Sequence, residues 1–257
     1  MDLGLKNKKV LITGSTKGIG FAAAKLFQEE GAQVAITSSS QDNVDSASEK
    51  LGNCLAIHCD VGDPEDVDSL FSTIRREWGE LDVLVNNAGI MLRKRVCDVA
   101  LEEWERLMNV NLRGTWLCCK YAGKLMMETN GGVILNTSSM NSVIPVYATG
   151  VYAASKAAIN ALTSTLAGEL APYNIRVNAY IPGFIPTDLN RARREKAASE
   201  SELATHIAMQ RLGTVEEMAD AIVYLCSARA SYMTGSVVKV NGGSFAVQNC
   251  RSAWLDR

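Results

Sequence analysis

Tyr152 and Lys156 stand four residues apart in Tyr152-Ala153-Ala154-Ser155-Lys156, which opens a run of apolar residues at helical spacing. On a helix that separation turns the lysine only about 40° from the tyrosine, so both side chains can face one cleft. A phenol with a pKa of about 10 is a sluggish base at neutral pH. An adjacent ammonium favours the phenolate, which makes the pair a candidate acid and base for moving one proton. Tyrosine and lysine also meet at this spacing by chance, so the pair needs support from elsewhere in the chain. Tyr147 is an internal control: its fourth neighbour is Val151, and it lacks the cation.

A second candidate is Gly14-Ser15-Thr16-Lys17-Gly18-Ile19-Gly20, one residue of spacing away from the G-x-G-x-x-G of dinucleotide sites. A strand-like run enters it and a helical pattern leaves it. In that context glycines let backbone N–H groups approach a pyrophosphate at the positive end of a helix. Tight strand-to-helix packing alone also uses such turns, and other residues must decide. The two nicotinamide dinucleotides differ at the 2′ position of the adenosine ribose, where NAD needs an acid about 20 residues beyond the glycines. Ser38, Ser39 and Ser40 stand there instead, and the nearest acid, Asp42, falls past the expected position. A phosphate is repelled by an acid and welcomed by hydroxyls and a cation, which Lys17 supplies. The pattern selects NADP(H), the alternative being a solvated lysine beside a polar turn.

These side chains need a frame to hold them. Strand-like runs at residues 9–13, 33–37, 54–58, 81–85, 133–137, 175–179 and 237–240 alternate with helical patterns at 21–30, 42–51, 64–78, 101–127, 152–170 and 215–227. That alternation predicts an α/β fold of seven parallel strands with helices on both faces, in one domain spanning 1–257. With right-handed crossovers and a glycine turn ending the first strand, the expectation is a Rossmann-like, doubly wound sheet in the order 3-2-1-4-5-6-7. The irregular stretch is 183–210. Its polar and small residues after a strand suit a substrate lid, with a plain surface connector as the alternative.

Composition narrows the field further. With 26 Lys and Arg against 28 Asp and Glu, the chain has no global field to gather a polyanion, so nucleic acid is not an expected partner. The seven cysteines form no C-x-x-C pair and the two histidines, His58 and His206, lie far apart, which speaks against zinc and for reduced core packing. Residues 1–9 carry no signal core, and no apolar run approaches a membrane span. The expectation is a cytoplasmic protein.

More motifs accompany the two sites: Asp60-Val61, Asn86-Asn87-Ala88-Gly89, Asn111, Ser138-Ser139, Pro182-Gly183 with Thr187, and a closing 235–243 stretch. In this order and over nearly the whole length, the chain resembles the short-chain dehydrogenases/reductases of the Tyr-x-x-x-Lys type. The resemblance implies that Tyr152 exchanges a proton with the oxygen of a ketone or secondary alcohol while hydride passes to or from the nicotinamide. Lys156 would lower the tyrosine pKa and hold the nicotinamide ribose. Ser139, with Ser138 ranked second, would hydrogen-bond the substrate oxygen. Asn111, rather than Asn109, would anchor a water leading protons from Lys156. Asp60 and Val61 would bracket the adenine, Asn87, Ala88 and Gly89 the adenosine side, and Ile185 and Thr187 the carboxamide, beside Pro182 and Gly183.

The substrate is less legible. A small-molecule ketone or alcohol is the first reading and a 3-oxoacyl thioester on coenzyme A or a carrier protein the second. Family members that reduce carrier-bound chains often present arginines where this chain has Asn130 and Tyr173. Arg191, Arg193, Arg194 and Lys196 suit either an anionic substrate or a solvated face. A dinucleotide-binding sensor without activity would be expected to lack Tyr152, Lys156 or Ser139. The resemblance and the long apolar helices predict a homotetramer, with Phe245 and Trp254 of the 244–257 tail packed across a neighbouring subunit.

Overall fold

Short β-branched runs and amphipathic segments take up the structures their periods dictate. The computed structural model describes residues 2–255, the side chain of Arg193 excepted. Along the chain come β1 (Lys9–Ile12), α1 (Gly18–Glu29), β2 (Gln33–Ser38), α2 (Gln41–Leu51), β3 (Leu55–His58), α3 (Pro64–Trp78) and β4 (Val83–Asn86). They are followed by α4 (Leu101–Met108), a π-helical segment (Asn109–Gly114), α5 (Thr115–Glu128), β5 (Gly132–Thr137), α6 (Gly150–Leu170) and β6 (Ile175–Pro182). The last elements are α7 (Arg191–Arg194), α8 (Glu200–Leu203), α9 (Val215–Cys226), β7 (Val237–Val240) and α10 (Ser252–Leu255).

The seven strands form one sheet in the order β3-β2-β1-β4-β5-β6-β7, every pair parallel. Alternate residues of each strand feed opposite faces. Leu11, Leu84, Ile134 and Val177 pack with Ile74 of α3 and Cys118 and Met126 of α5. Val10, Ile36, Val85 and Leu135 pack with Phe27 of α1 and Ile222 of α9. Coverage on both faces is why the central strands read as continuous apolar runs. Local signals set the helix ends: Asp63 caps α3 by accepting from the Glu65 N–H, Pro64 opens it, and left-handed Gly79 closes it. The seven cysteines are free; burial pushes the Cys59, Cys119 and Cys226 thiols up to about 12, so they are inert packing groups. Among the described residues no helix is long and apolar enough to cross a membrane, and no cluster of acids, histidines and cysteines is fit for a metal ion.

The structure departs from the expected elements in one place and fills in detail in another. The helix expected over 101–127 is interrupted by the π segment, where Gly114 lies against the Val61 carbonyl so closely that a Cβ would come within 2.5 Å of it. One extra residue per turn lets the backbone pass there while the Thr115 hydroxyl donates to the Asn111 carbonyl at 2.8 Å. Residues 183–210 carry two short helices, α7 and α8, and are anchored by buried Ile185, Ala204 and Ile207. Within the chain, the tail also makes contacts of its own. Phe245 stacks on His206 with ring centroids 4.9 Å apart, and the Trp254 indole donates to the Ala208 carbonyl at 2.9 Å.

Candidate active site

The strands' carboxyl ends bring the singled-out residues to one edge of the sheet. Gly14 and Gly18 both have positive φ, and a Cβ on Gly14 would stand 2.8 Å from the Ala88 Cα. Only glycine admits the turn that joins β1 to α1. Asn87 and Ala88 brace it from the end of β4: both backbone N–H groups donate to the Thr13 hydroxyl, and the Asn87 amide donates to the Thr13 and Gly14 carbonyls. A Cβ on Gly20 would collide with that amide at 2.5 Å. Ser15 turns inward, its hydroxyl donating to the Ile12 carbonyl and its N–H to that of Thr37, so it shapes the turn. Thr16, Lys17, Gly18 and Ile19 keep exposed surface, as a phosphate-approaching loop requires.

Tyr152 and Lys156 lie on α6, both buried, with the ammonium 5.9 Å from the phenol ring centroid. The Lys156 ammonium donates to the Thr137 carbonyl at 2.7 Å, and its burial lowers its pKa to about 8. Burial also raises the Tyr152 pKa, opposed by a hydrogen bond with Ser139. Burial is the larger of the two causes, because the phenolate is the form that loses most by leaving water. Ser139 faces the tyrosine, whereas Ser138 is buried and turned toward the Ser142 hydroxyl at 3.2 Å, which separates the two serines. Asn111 is fully buried and grips Ile90 from both sides, accepting its N–H at 2.8 Å and donating to its carbonyl at 3.0 Å. Gly89 is the gap in this wall. A Cβ there would stand 3.6 Å from the lysine nitrogen and 3.3 Å from the Asn111 amide oxygen, so a side chain at this position would crowd both groups.

A family model described as enoyl-(acyl carrier protein) reductase matches residues 14–244. The 3α-hydroxysteroid dehydrogenase of Mediterraneibacter gnavus is 40% identical over 250 residues, covering 95% of this chain and 99% of its own. A short-chain type dehydrogenase/reductase from Mycobacterium marinum superimposes with a TM-score of 0.90 at 35% identity, over 96% of this chain and 98% of that one. This chain belongs to the short-chain dehydrogenase/reductase family. L-sorbose reductase from Gluconobacter frateurii, solved with NADPH and L-sorbose, has a TM-score of 0.91 at 31% identity, covering 96% and 100% of the two chains. As a member, the protein is an oxidoreductase acting on CH–OH groups with a nicotinamide dinucleotide.

In this dehydrogenase/reductase the residues expected on the adenosine side include a charged pair. Asp60 accepts from the Gly62 N–H at 2.9 Å with one oxygen and pairs with Arg106 at 2.9 Å with the other, while Val61 is buried. Ser38 and Ser39 end β2 just before the capped N-terminus of α2, a partial positive charge that suits an anion. Lys17 has a partner that the sequence did not show. Its ammonium pairs with Asp188 at 2.9 Å, and the second Asp188 oxygen is held by Arg191. Thr187 lies over the glycine turn, its methyl 3.3 Å from where a Gly18 Cβ would be, while Ile185 is buried and Gly183 is pressed against Asn241. Pro182 ends β6 in register with Val240. Arg106 and Asp188 were not singled out in the sequence, because nothing in a one-dimensional pattern shows which distant charges meet.

Proposed function

We propose that this enzyme interconverts a secondary alcohol and a ketone with NADP(H). The observation that carries the reading is Tyr152 and Lys156 buried one turn apart on α6, the ammonium 5.9 Å from the phenol ring centroid, with Ser139 on the tyrosine's side of the site. The nicotinamide, when bound, gives hydride to the carbonyl carbon or takes it from the carbinol carbon. Tyr152 gives its hydroxyl proton to the carbonyl oxygen in reduction and takes the alcohol proton in oxidation. Ser139 donates a hydrogen bond to the same oxygen as charge gathers there. Lys156 holds the ribose beside Gly89 and supplies the positive charge that favours the phenolate, while Asn111 fixes the backbone at Ile90 and anchors the water of a proton path.

Asp60, Val61, Asn87, Ala88 and Gly89 take the adenosine side of the cofactor. The Gly14 to Gly20 turn takes the pyrophosphate, and Ile185 and Thr187, with Pro182 and Gly183, the carboxamide. NADP(H) over NAD(H) is supported by the hydroxyls of Ser38 and Ser39 at a helix N-terminus, by the cation on Lys17, and by the absence of an acid at 38–39. Residues 183–210 serve as the substrate lid within the single domain, and the enzyme works as a cytoplasmic homotetramer on a free small molecule. A 3-oxoacyl thioester is the second reading, supported by 35% identity over 250 residues to a 3-oxoacyl-(acyl-carrier-protein) reductase of Aquifex aeolicus. A panel of ketones, secondary alcohols and 3-oxoacyl thioesters, followed by NADPH absorbance, tests both. Turnover of simple ketones supports the first, and turnover confined to thioesters replaces it with the second.

A further inference from the structure

Lys17 and Asp188 belong to segments far apart in sequence; two contacts join those segments and a third steadies Asp188 within its own. The ammonium of Lys17 meets one Asp188 oxygen at 2.9 Å, Arg191 holds the other oxygen, and Thr187 rests on the turn at Gly18. The stretch around Asp188 is braced from within: Asn190 accepts the Thr187 N–H at 3.3 Å and donates to the Ile185 carbonyl at 2.6 Å, and Arg194 donates to the Thr187 carbonyl at 3.4 Å. Both side chains remain largely in solvent. Lys17 first and Arg191 second hold the Asp188 carboxyl below its ordinary range, so it carries its charge at any neutral pH.

We infer that Asp188 is a specificity-determining residue for the cofactor: its carboxylate competes with a 2′-phosphate for the Lys17 ammonium. This rests on the reading that Lys17 serves that phosphate. An ammonium is a point charge on a flexible stem and can serve one strong anion at a time or share itself between two at reduced strength. A 2′-phosphate must then draw Lys17 from a carboxylate already in contact, while a free ribose hydroxyl has no claim on it. The acid thus narrows the gap between NADPH and NADH that Lys17 opens. An exposed pair exchanges at small cost, so the competition is a matter of a few-fold.

The experiment is calorimetric binding of NADPH, NADH and 2′,5′-ADP to the wild type, Asp188→Asn, Lys17→Ala and the double variant. Asparagine keeps an acceptor for Arg191 and removes the charge. The expected result is two- to fivefold tighter binding of NADPH and 2′,5′-ADP by Asp188→Asn, roughly the range of an exposed ion pair, with NADH changed less than about twofold. In the Lys17→Ala background that gain should vanish. Equal changes for NADPH and NADH, or a gain that survives without Lys17, would overturn the inference and leave Asp188 a brace of the lid. If Lys17→Ala leaves the NADPH to NADH ratio unmoved, the 2′-phosphate reading itself fails, and the inference with it.

Discussion

The two ends of the cofactor cleft hold their cations in opposite ways. Lys156 is buried, its ammonium on a single carbonyl and its pKa lowered to about 8 by loss of water. Lys17 stands in solvent, ion-paired to a carboxylate on a neighbouring loop. A dry cation is costly to keep and acts strongly on what lies beside it, which suits chemistry. A wet, paired cation is cheap to keep and easily exchanged, which suits the choice between two closely related ligands. The contrast predicts that damage at the buried end appears in turnover and stability, and damage at the exposed end in selectivity.

The largest effect belongs to the buried end. Tyr152→Phe should lower turnover by about a hundred- to ten-thousandfold while cofactor affinity stays within about twofold, since only the proton donor is lost. Steady-state rates and calorimetry on the same preparation check this. Near wild-type turnover would move the proton to another group.

Lys156→Met should cripple turnover and yet stabilise the fold at pH 7. Below pH 8 the ammonium is charged in both folded and unfolded chains, and burying it costs the fold on the order of 3 kcal/mol, from the difference between its pKa of about 8 and the ordinary value of 10.5. Between those values the unfolded chain holds the proton that the folded enzyme has released, so wild-type stability rises with pH across that window. The variant's advantage, about 2 kcal/mol at pH 7 after about 1 kcal/mol for the Thr137 carbonyl left without its donor, should fade toward pH 10.5. Urea unfolding at several pH values reads it. A variant less stable than the wild type at pH 7 would mean that the hydrogen bond outweighs the desolvation.

Next in size are Lys17→Ala and Ser38→Asp, at the exposed end. Loss of a charge-assisted contact should cost about ten- to a hundredfold in NADPH preference, and the new acid at 38 should go further by repelling the phosphate and accepting from a free ribose hydroxyl. The ratio of kcat/KM for the two cofactors is the measure. A wild type that prefers NADH would place the 2′-phosphate pocket elsewhere.

The same division governs what could be read in advance. The seven strands, five of the six expected helices and the Tyr152–Lys156 turn follow from periodicity and from spacing within one element, and the pairing of β4 with β5 then brings Asn87 and Ser139 to one edge of the sheet. The π segment was hidden because α and π turns share nearly one hydrophobic pattern; only the approach of Gly114 to Val61 shows why the helix must loosen. Ser138 and Ser139 are equivalent as letters and are separated by the pleat, which alternates side chains between faces. The pairs Lys17–Asp188 and Asp60–Arg106 depend on how loops from different strands settle against each other, which no local rule contains.

The smallest expected effect is the stability of Asp188→Asn. The carboxyl of Asp188 is held below its ordinary value by Lys17 and then Arg191, so whatever the pair contributes is fully present above the unfolded value of about 3.9. It is lost only as pH falls through the lower, folded value. Between pH 5 and 8 the variant's melting temperature should therefore run parallel to that of the wild type and lie within about 2 °C of it, because exposed pairs contribute little and salt screens them further. The two curves should draw closer below about pH 4, where the wild-type carboxyl begins to take up its proton and becomes, like the asparagine, uncharged. Thermal melts across pH 3 to 8, at low and high salt, measure this. A loss of several degrees at pH 7 that persists in high salt would mean that Asp188 holds its segment by more than an exchangeable charge pair, and the contrast between a buried cation that costs stability for chemistry and an exposed one that serves choice at little cost would fail at that point.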